Sequence, residues 1–169
     1  MKTVGVVLAI VIALVLQTTV GRFVIRGVVE IDLVLVVVVY VALTSGPVTG
    51  LLAGAAAGLA QDALSSGVVG IGGLAKTLVG FLAGIIGTQF IVSQPIPRFV
   101  VFLAATALHA FVFMGLYELL DLRQFGTPYA AVAGQAVGNA VVGVVAFQLA
   151  ELLPGVFERR RGQRARIRR

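Results

Sequence analysis

The feature that most constrains this chain is a stripe of glycines in its first half. They recur every four residues, at Gly46, Gly50, Gly54 and Gly58. On an α-helix a step of four residues advances by about 40° beyond a full turn, so these positions form one slowly drifting stripe. Because a stripe without side chains lets a neighbouring backbone approach closely, it favours helix association in lipid. The pattern therefore predicts a tightly packed helix over residues 47–63.

Asp62 ends this stripe, Gln61 ends a second stripe of small residues through Thr49, Ala53 and Ala57, and Lys76 follows on the next predicted helix. That second helix carries small residues of its own, at Gly72, Gly80 and Gly84. A charge near mid-membrane costs roughly 2.5–3.5 kcal/mol on insertion scales, so pairing is a way to retain both charges. We expect Gln61, Asp62 and Lys76 to form a structural polar cluster that pins the helical hairpin. Two alternatives stay open: separate exposure of these groups to water, and a proton relay or ligand site.

The composition indicates an integral membrane protein. Of the 169 residues, 59% are hydrophobic and 12% charged, and the mean hydropathy is +1.07. No ordinary soluble domain of this size has such values. Cysteine is absent and there is one histidine, which excludes disulfides and thiolate or histidine-rich metal centres. Motifs for phosphate binding, zinc hydrolysis and serine catalysis are absent, so we expect no enzyme, cofactor or metal.

Proline and polar breaks divide the chain into six apolar segments. We expect an all-α fold, a compact bundle of six transmembrane helices over residues 3–20, 31–44, 47–63, 71–92, 99–120 and 129–153. Residues 1–157 then form the transmembrane domain and residues 158–169 a basic tail. The second segment is rich in valine, but a lone strand in lipid leaves its backbone unsatisfied, so a helix is expected. Asp32 is expected to cap that helix by accepting free N–H groups.

The distribution of lysine and arginine predicts the orientation of the bundle. With six spans, one face holds Lys2, Arg98 and the basic tail, and the other holds Arg22, Arg26 and Arg123. Both termini are therefore expected in the cytoplasm. Each tail charge contributes about 1 kcal/mol of attraction to anionic lipid, so the tail is expected to contact lipid or a cytosolic partner. Its arginines are Arg159, Arg160, Arg161, Arg164, Arg166, Arg168 and Arg169.

Polar and small residues also mark the last two predicted helices. His109 lies near the middle of the fifth and Asn139 near the middle of the sixth. Antiparallel packing predicts a hydrogen bond between them, and such contacts average about 0.6 kcal/mol in one membrane protein. We favour a structural over a functional histidine. The pair Gly134 and Gly138 predicts a packed face on the sixth helix.

One stretch of this sequence has a recognisable pattern. Residues 54–70 read Gly-x-x-x-Gly-Leu-Ala-Gln-Asp-Ala-Leu-Ser-Ser-Gly-x-x-Gly, and residues 74–84 read Leu-Ala-Lys-Thr-Leu-Val-Gly-Phe-Leu-Ala-Gly. This pattern resembles the family of the bacterial rod shape-determining protein MreD. The resemblance extends over the length, the six-span pattern and the basic C-terminus. It departs from the family at Ile31, where a proline usually precedes the aspartate of the second span.

The resemblance implies a non-enzymatic subunit of the bacterial cell-elongation complex in the inner membrane. Such proteins associate with the membrane scaffold MreC and, through it, with a RodA-type polymerase, a penicillin-binding transpeptidase and the MreB filament. The family's fold is similar to that of substrate-binding subunits of energy-coupling-factor transporters. The alternative is therefore a small-molecule-binding transporter subunit, with Ala9-x-x-x-Ala13 as its coupling motif. A third hypothesis is a lipid-binding or lipid-flipping protein that uses Asp62 and Lys76.

Overall fold

The part of the chain described by the computed structural model is entirely helical. It comprises residues 3–20, 31–65, 67–90, 94–122, 126 and 129–167, with side chains described as far as Leu152. Within these ranges there are six helices and no strand, which confirms the all-α prediction. The helices are α1 (Thr3–Val20), α2 (Leu33–Ser45), α3 (Pro47–Leu64), α4 (Ile71–Gln89), α5 (Pro95–Leu119) and α6 (Tyr129–Ile167).

Helices α3 and α4 form the most closely packed pair of the bundle. A Cβ atom on Gly50 would overlap the carbonyl oxygen of Gly80, and one on Gly54 would overlap the carbonyl oxygen of Lys76. The two backbones therefore touch along the stripe, with no room for a side chain between them. This contact explains why glycines recur at helical spacing on both helices.

The other predicted packing glycines differ in their surroundings. Gly58 and Gly84 face backbone atoms of the partner helix in the same way. Gly46 forms the break between α2 and α3 with a φ of 88°, which favours glycine, and it also lies against Gly84 of α4. Gly46 therefore adds a turn role to the predicted packing. Gly134 and Gly138 are half-buried on α6.

Helix α2 is the centre of the bundle and is buried on almost all sides. Its 13 residues extend over about 20 Å, less than the roughly 30 Å of a bilayer core. One of its faces packs with residues of α4, α5 and α6 through Leu35 and Val39, and the other packs against α1 and α3 through Val34 and Val38. Its valine-rich sequence thus reflects burial on every face.

The outer helices expose apolar side chains. In the described part of the chain, three segments are long and apolar enough to cross a membrane: Ile71–Gln89, Pro95–Leu119 and Tyr129–Leu152. The apolar segments Val4–Thr19 and Leu33–Ser45 are shorter. We call the end of the bundle with the α3–α4 and α5–α6 connections the upper end, and the opposite end the lower end.

Two helix bounds differ from the sequence-based expectation in an informative way. Helix α5 begins at Pro95, four residues before Phe99, because proline suits the first turn of a helix. Helix α6 continues to Ile167, so most of the basic C-terminal segment prolongs a helix. The side chains of residues 159–167 lie outside the described part. The predicted orientation depends largely on six further basic residues that also lie outside the described part: Lys2, Arg22, Arg26, Arg123, Arg168 and Arg169.

The backbone contact between α3 and α4 predicts a strong effect of Gly54→Leu. A side chain there must push the helices apart, and overpacking of this kind typically costs about 1–3 kcal/mol or more. We expect a lower free energy of unfolding in detergent, measured by denaturant titration. The control is Gly115→Leu on α5, where a Cβ meets open space. Equal stability of the two variants would contradict the packing role of Gly54.

Candidate functional site

An ion pair inside the bundle joins α4 to the start of α2. The Nζ of Lys76 lies 2.8 Å from Oδ2 of Asp32, and the two side chains are only 4% and 7% exposed. Asp32 also caps α2 as the sequence predicts, because its Oδ1 accepts a hydrogen bond from the Leu35 N–H at 2.9 Å. The carboxylate thus neutralises the lysine and satisfies a free amide of the helix at the same time.

The start of α2 is further bonded by side chains from two other helices. The Asp32 N–H donates to Oδ1 of Asn139 on α6 at 3.0 Å. Gln17 on α1 accepts from the Leu33 N–H at 2.8 Å and donates to the Ile31 carbonyl at 2.9 Å. Non-helical backbone is tolerated at membrane depth only where protein groups or water satisfy it. Here those groups are amide side chains of α1 and α6.

His109 on α5 is the second side chain, after Asp32, that contacts Lys76. Its Nε2 lies 3.2 Å from Nζ of Lys76 within the buried core. The Lys76 Nζ and the imidazole are therefore within hydrogen-bonding distance, with donor and acceptor set by the tautomer of the ring. The imidazole ring stacks on Phe113 at a centroid distance of 5.8 Å, and Phe113 packs against Tyr117. A line of aromatic rings on α5 therefore leads from the lysine towards the upper end, where the Tyr117 hydroxyl accepts from the Val68 N–H.

The hydrogen bond predicted between His109 and Asn139 is not the one that forms. His109 contacts Lys76, whereas Asn139 donates from Nδ2 to the Thr106 hydroxyl at 3.2 Å and accepts from Asp32. Each residue bonds a different neighbour: Lys76 of α4 takes His109, while Thr106, one turn before His109 on α5, and the backbone N–H of Asp32 take Asn139. The two residues still belong to one set, which we call the polar cluster. Its members are Gln17, Asp32, Lys76, Thr106, His109 and Asn139.

The expected pair of Asp62 and Lys76 is likewise corrected. Oδ2 of Asp62 accepts from the backbone N–H groups of Gly70 and Gly73, at 2.8 and 3.0 Å. Asp62 therefore closes the α3–α4 connection and caps α4, where a carboxylate is favoured by the helix dipole. Lys76 lies about 7.5 Å further along α4 than its first residue, at the depth of Asp32 instead. Gln61 joins neither group, and its buried Oε1 has no hydrogen-bond partner among the residues that the structure describes.

Sequence reasoning missed most of the polar cluster. Asp32 was expected as a cap only, and neither Gln17 nor Thr106 was expected to contribute. The available signal was the charge balance: Asp32 opens one helix, and Lys76 lies just inside another that begins at the same end. Matching charges by depth would have favoured the pair of Lys76 and Asp32 over the pair of Lys76 and Asp62. Asp62 lies close enough to the free backbone N–H groups at the start of α4 to accept their hydrogen bonds.

A second ion pair lies at the lower end of the bundle. The buried guanidinium of Arg98 on α5 forms two hydrogen bonds with the exposed carboxylate of Glu151 on α6. The guanidinium also lies over the Phe147 ring, 4.4 Å from its centroid, and Phe147 packs against Tyr40 of α2. This arrangement joins α5 to α6, while solvent at Glu151 limits the contribution of the charge pair to stability.

The geometry describes a small helical membrane protein whose buried charges are engaged with one another. Among the described residues there is no group of three or more histidine, cysteine, aspartate or glutamate side chains that could hold a metal ion. The family model for the rod shape-determining protein MreD matches residues 1–153. The chain therefore belongs to the MreD family, a family of multi-pass membrane proteins that determine rod shape and are not known as enzymes. No curated protein and no solved structure matches the chain.

The buried ion pair predicts that Lys76→Met destabilises the protein strongly. It leaves the Asp32 carboxylate buried without a counter-charge, and breaking such a pair typically costs about 3–5 kcal/mol. The double variant Asp32→Asn/Lys76→Met should recover part of that loss, because asparagine remains a good helix cap. The measurement is a double-mutant cycle of unfolding free energies in detergent.

Asp62→Asn serves as the matched control for this cycle. Its effect should add to that of Lys76→Met within about 0.5 kcal/mol, because the two side chains share no partner. A coupling of Lys76 to Asp62 that exceeds its coupling to Asp32 would contradict the assignment.

Proposed function

We infer that this chain is a non-enzymatic scaffold subunit of the bacterial cell-elongation complex. In this role it binds an MreC-like membrane protein and, through it, a RodA-type polymerase, a penicillin-binding transpeptidase and an MreB-like filament. Membership of the MreD family supports the general role in rod shape. The partners are part of the proposal.

The observation that supports the scaffold role is that the charged side chains of the bundle bind to other groups of the same bundle. Lys76 is engaged by Asp32, Arg98 by Glu151, and Asp62 by backbone amides. These contacts connect helices to one another and hold the short α2 in place. What the described bundle offers to its surroundings at membrane depth is mainly a rigid apolar surface, which suits association with other membrane helices.

The position of Ala13 argues against the transporter alternative. A coupling motif at Ala9 and Ala13 would have to face a partner, but Ala13 is 3% exposed and packs with Val34 and Val38 of α2. The motif thus contributes to the contact of α1 with its own bundle. The third hypothesis, lipid handling by Asp62 and Lys76, loses its basis because these two side chains have separate partners.

The proposal includes six membrane crossings over residues 1–157, with both termini in the bacterial cytoplasm. Helix α2 is too short to cross the membrane alone. The polar cluster satisfies the backbone N–H groups at its first residues, so the helix can begin inside the protein. The basic segment 158–169, which prolongs α6, would then lie at the anionic cytoplasmic leaflet or contact a cytosolic partner. The similarity to energy-coupling-factor subunits also remains a proposal.

Affinity purification from membranes of the native host tests the scaffold role. The tagged chain should recover a single-span MreC-like protein, identified by mass spectrometry. An unrelated polytopic membrane protein with the same tag is the control. Recovery of transporter ATPase subunits in place of the MreC-like protein would overturn the proposal.

Single-cysteine labelling tests the proposed orientation, because the natural chain contains no cysteine. In intact cells with a permeable outer layer, a membrane-impermeant maleimide should label Ser65→Cys, in the α3–α4 connection at the upper end. It should label Gln94→Cys, at the lower end, only after the membrane is broken. The reverse pattern would invert the orientation and place the basic segment outside.

A further inference from the structure

The upper half of the bundle contains an open groove between α5 and α6 that no part of the described chain fills. Its volume is about 440 Å³. Leu103, Phe111 and Met114 line it on α5, and Val132 and Val137 line it on α6. Apart from the ring of Tyr129, every lining side chain is hydrocarbon or thioether, so the groove offers no polar contact below its upper end.

Small residues create the groove. Ala107 and Ala110 on α5 face Ala133 and Ala136 on α6 along its length. Ala110 and Ala136 are buried and form the floor, whereas Ala107 and Ala133 are exposed and form the sides. The helices are held together by Thr106 with Asn139, beside the lower part of the groove, and by the lower ion pair. The alanines therefore leave a permanent gap between two helices that are fixed elsewhere.

The dimensions of the groove identify its occupant. The lining residues of α5, from Leu103 to Met114, extend over about 17 Å, close to the roughly 15 Å of hydrocarbon in one leaflet. A volume of 440 Å³ over that length corresponds to a cross-section of about 27 Å², or about 6 Å across. That width fits one hydrocarbon chain, whose carbons contact neighbours at about 4 Å. An α-helix with side chains is about 10–12 Å wide and is too large to enter.

The position of the groove in the membrane agrees with these dimensions. Tyr129, the first residue of α6, is 78% exposed at its upper end. Tyrosine is enriched at the membrane–water interface, so the groove starts at headgroup level and leads inwards for one leaflet. A second groove, between α4 and α5, has a volume of about 280 Å³ and extends along α5 only from Val101 to Leu108, about 10 Å, which is shorter than a leaflet.

We propose that the α5–α6 groove is a binding site for one acyl chain of a membrane lipid in the leaflet at the upper end. The atoms that line an empty groove lack van der Waals contacts on one side. An acyl chain supplies these contacts and buries no polar group. The chain would fill the gap between α5 and α6 and stiffen the part of the hairpin above the contact of Thr106 with Asn139. This site is independent of the proposed scaffold role.

A tryptophan reporter tests the site, because the natural chain contains no tryptophan. Val137→Trp places the fluorophore at the rim of the groove, and Leu52→Trp places it on the exposed face of α3, away from the α5–α6 groove. Both variants are reconstituted in phosphatidylcholine with brominated acyl chains, which quench tryptophan on contact, and are then extracted into a mild detergent without bromine. Val137→Trp should retain its quenching after extraction, and Leu52→Trp should lose it.

A groove-filling substitution completes the test. Val137→Trp combined with Ala133→Phe should lose the retained quenching, because the new ring occupies the space of the acyl chain. Val137→Trp combined with Ala56→Phe is the matched control, since Ala56 is exposed on α3 and adds the same ring to a surface without a groove. Circular dichroism confirms that each variant is folded.

Two results would overturn the proposal. One is loss of quenching from Val137→Trp and Leu52→Trp at the same rate, which means that no chain is held. The other is protection of Val137→Trp from brominated lipid in the complex purified from native membranes but not in the isolated protein. That result would make the groove a contact for a partner protein.

Discussion

The first turn of α2 begins inside the bundle, at a depth where water does not satisfy its amides, and the architecture depends on how that turn is completed. Asp32 accepts from its own helix, binds Lys76 of α4 and donates its backbone N–H to Asn139 of α6, while Gln17 of α1 supplies further hydrogen bonds. The ion pair is therefore not an isolated stabilising contact. It fixes the depth of the central helix relative to the helices around it.

The glycine stripe has a different and complementary role. It brings α3 and α4 into backbone contact, and that contact places Lys76 on the side of α4 that faces α2 and α5. With Asp62 closing the connection above, the hairpin becomes a rigid frame. The packing of small residues thus determines where the lysine points, and the lysine determines where α2 begins.

For a member of the MreD family, this arrangement of buried charges favours a role for the protein surface over a role for a reactive site. The buried charges hold the helices in position, and the exposed faces of α1, α5 and α6 carry apolar side chains. Helices α5 and α6 are joined at Thr106 and Asn139 and again at Arg98 and Glu151, yet leave the groove between them from the level of Leu103 upwards. One hairpin thereby combines a firm lower half with an upper half whose gap matches a hydrocarbon chain.

The all-helical class, the membrane character, the glycine stripe and the cap at Asp32 could all be predicted from the sequence, because each depends on local periodicity, hydropathy or backbone chemistry. The sequence did not determine which charges meet. A short loop suggests Asp62 and Lys76 as partners, but the Asp62 carboxylate instead accepts hydrogen bonds from the backbone N–H groups at the start of α4. The partners of Lys76 come from α2 and α5, 44 and 33 residues away along the chain. Only the tertiary structure could decide this, because side chains in a bundle pair by depth and helix face, which sequence distance does not encode.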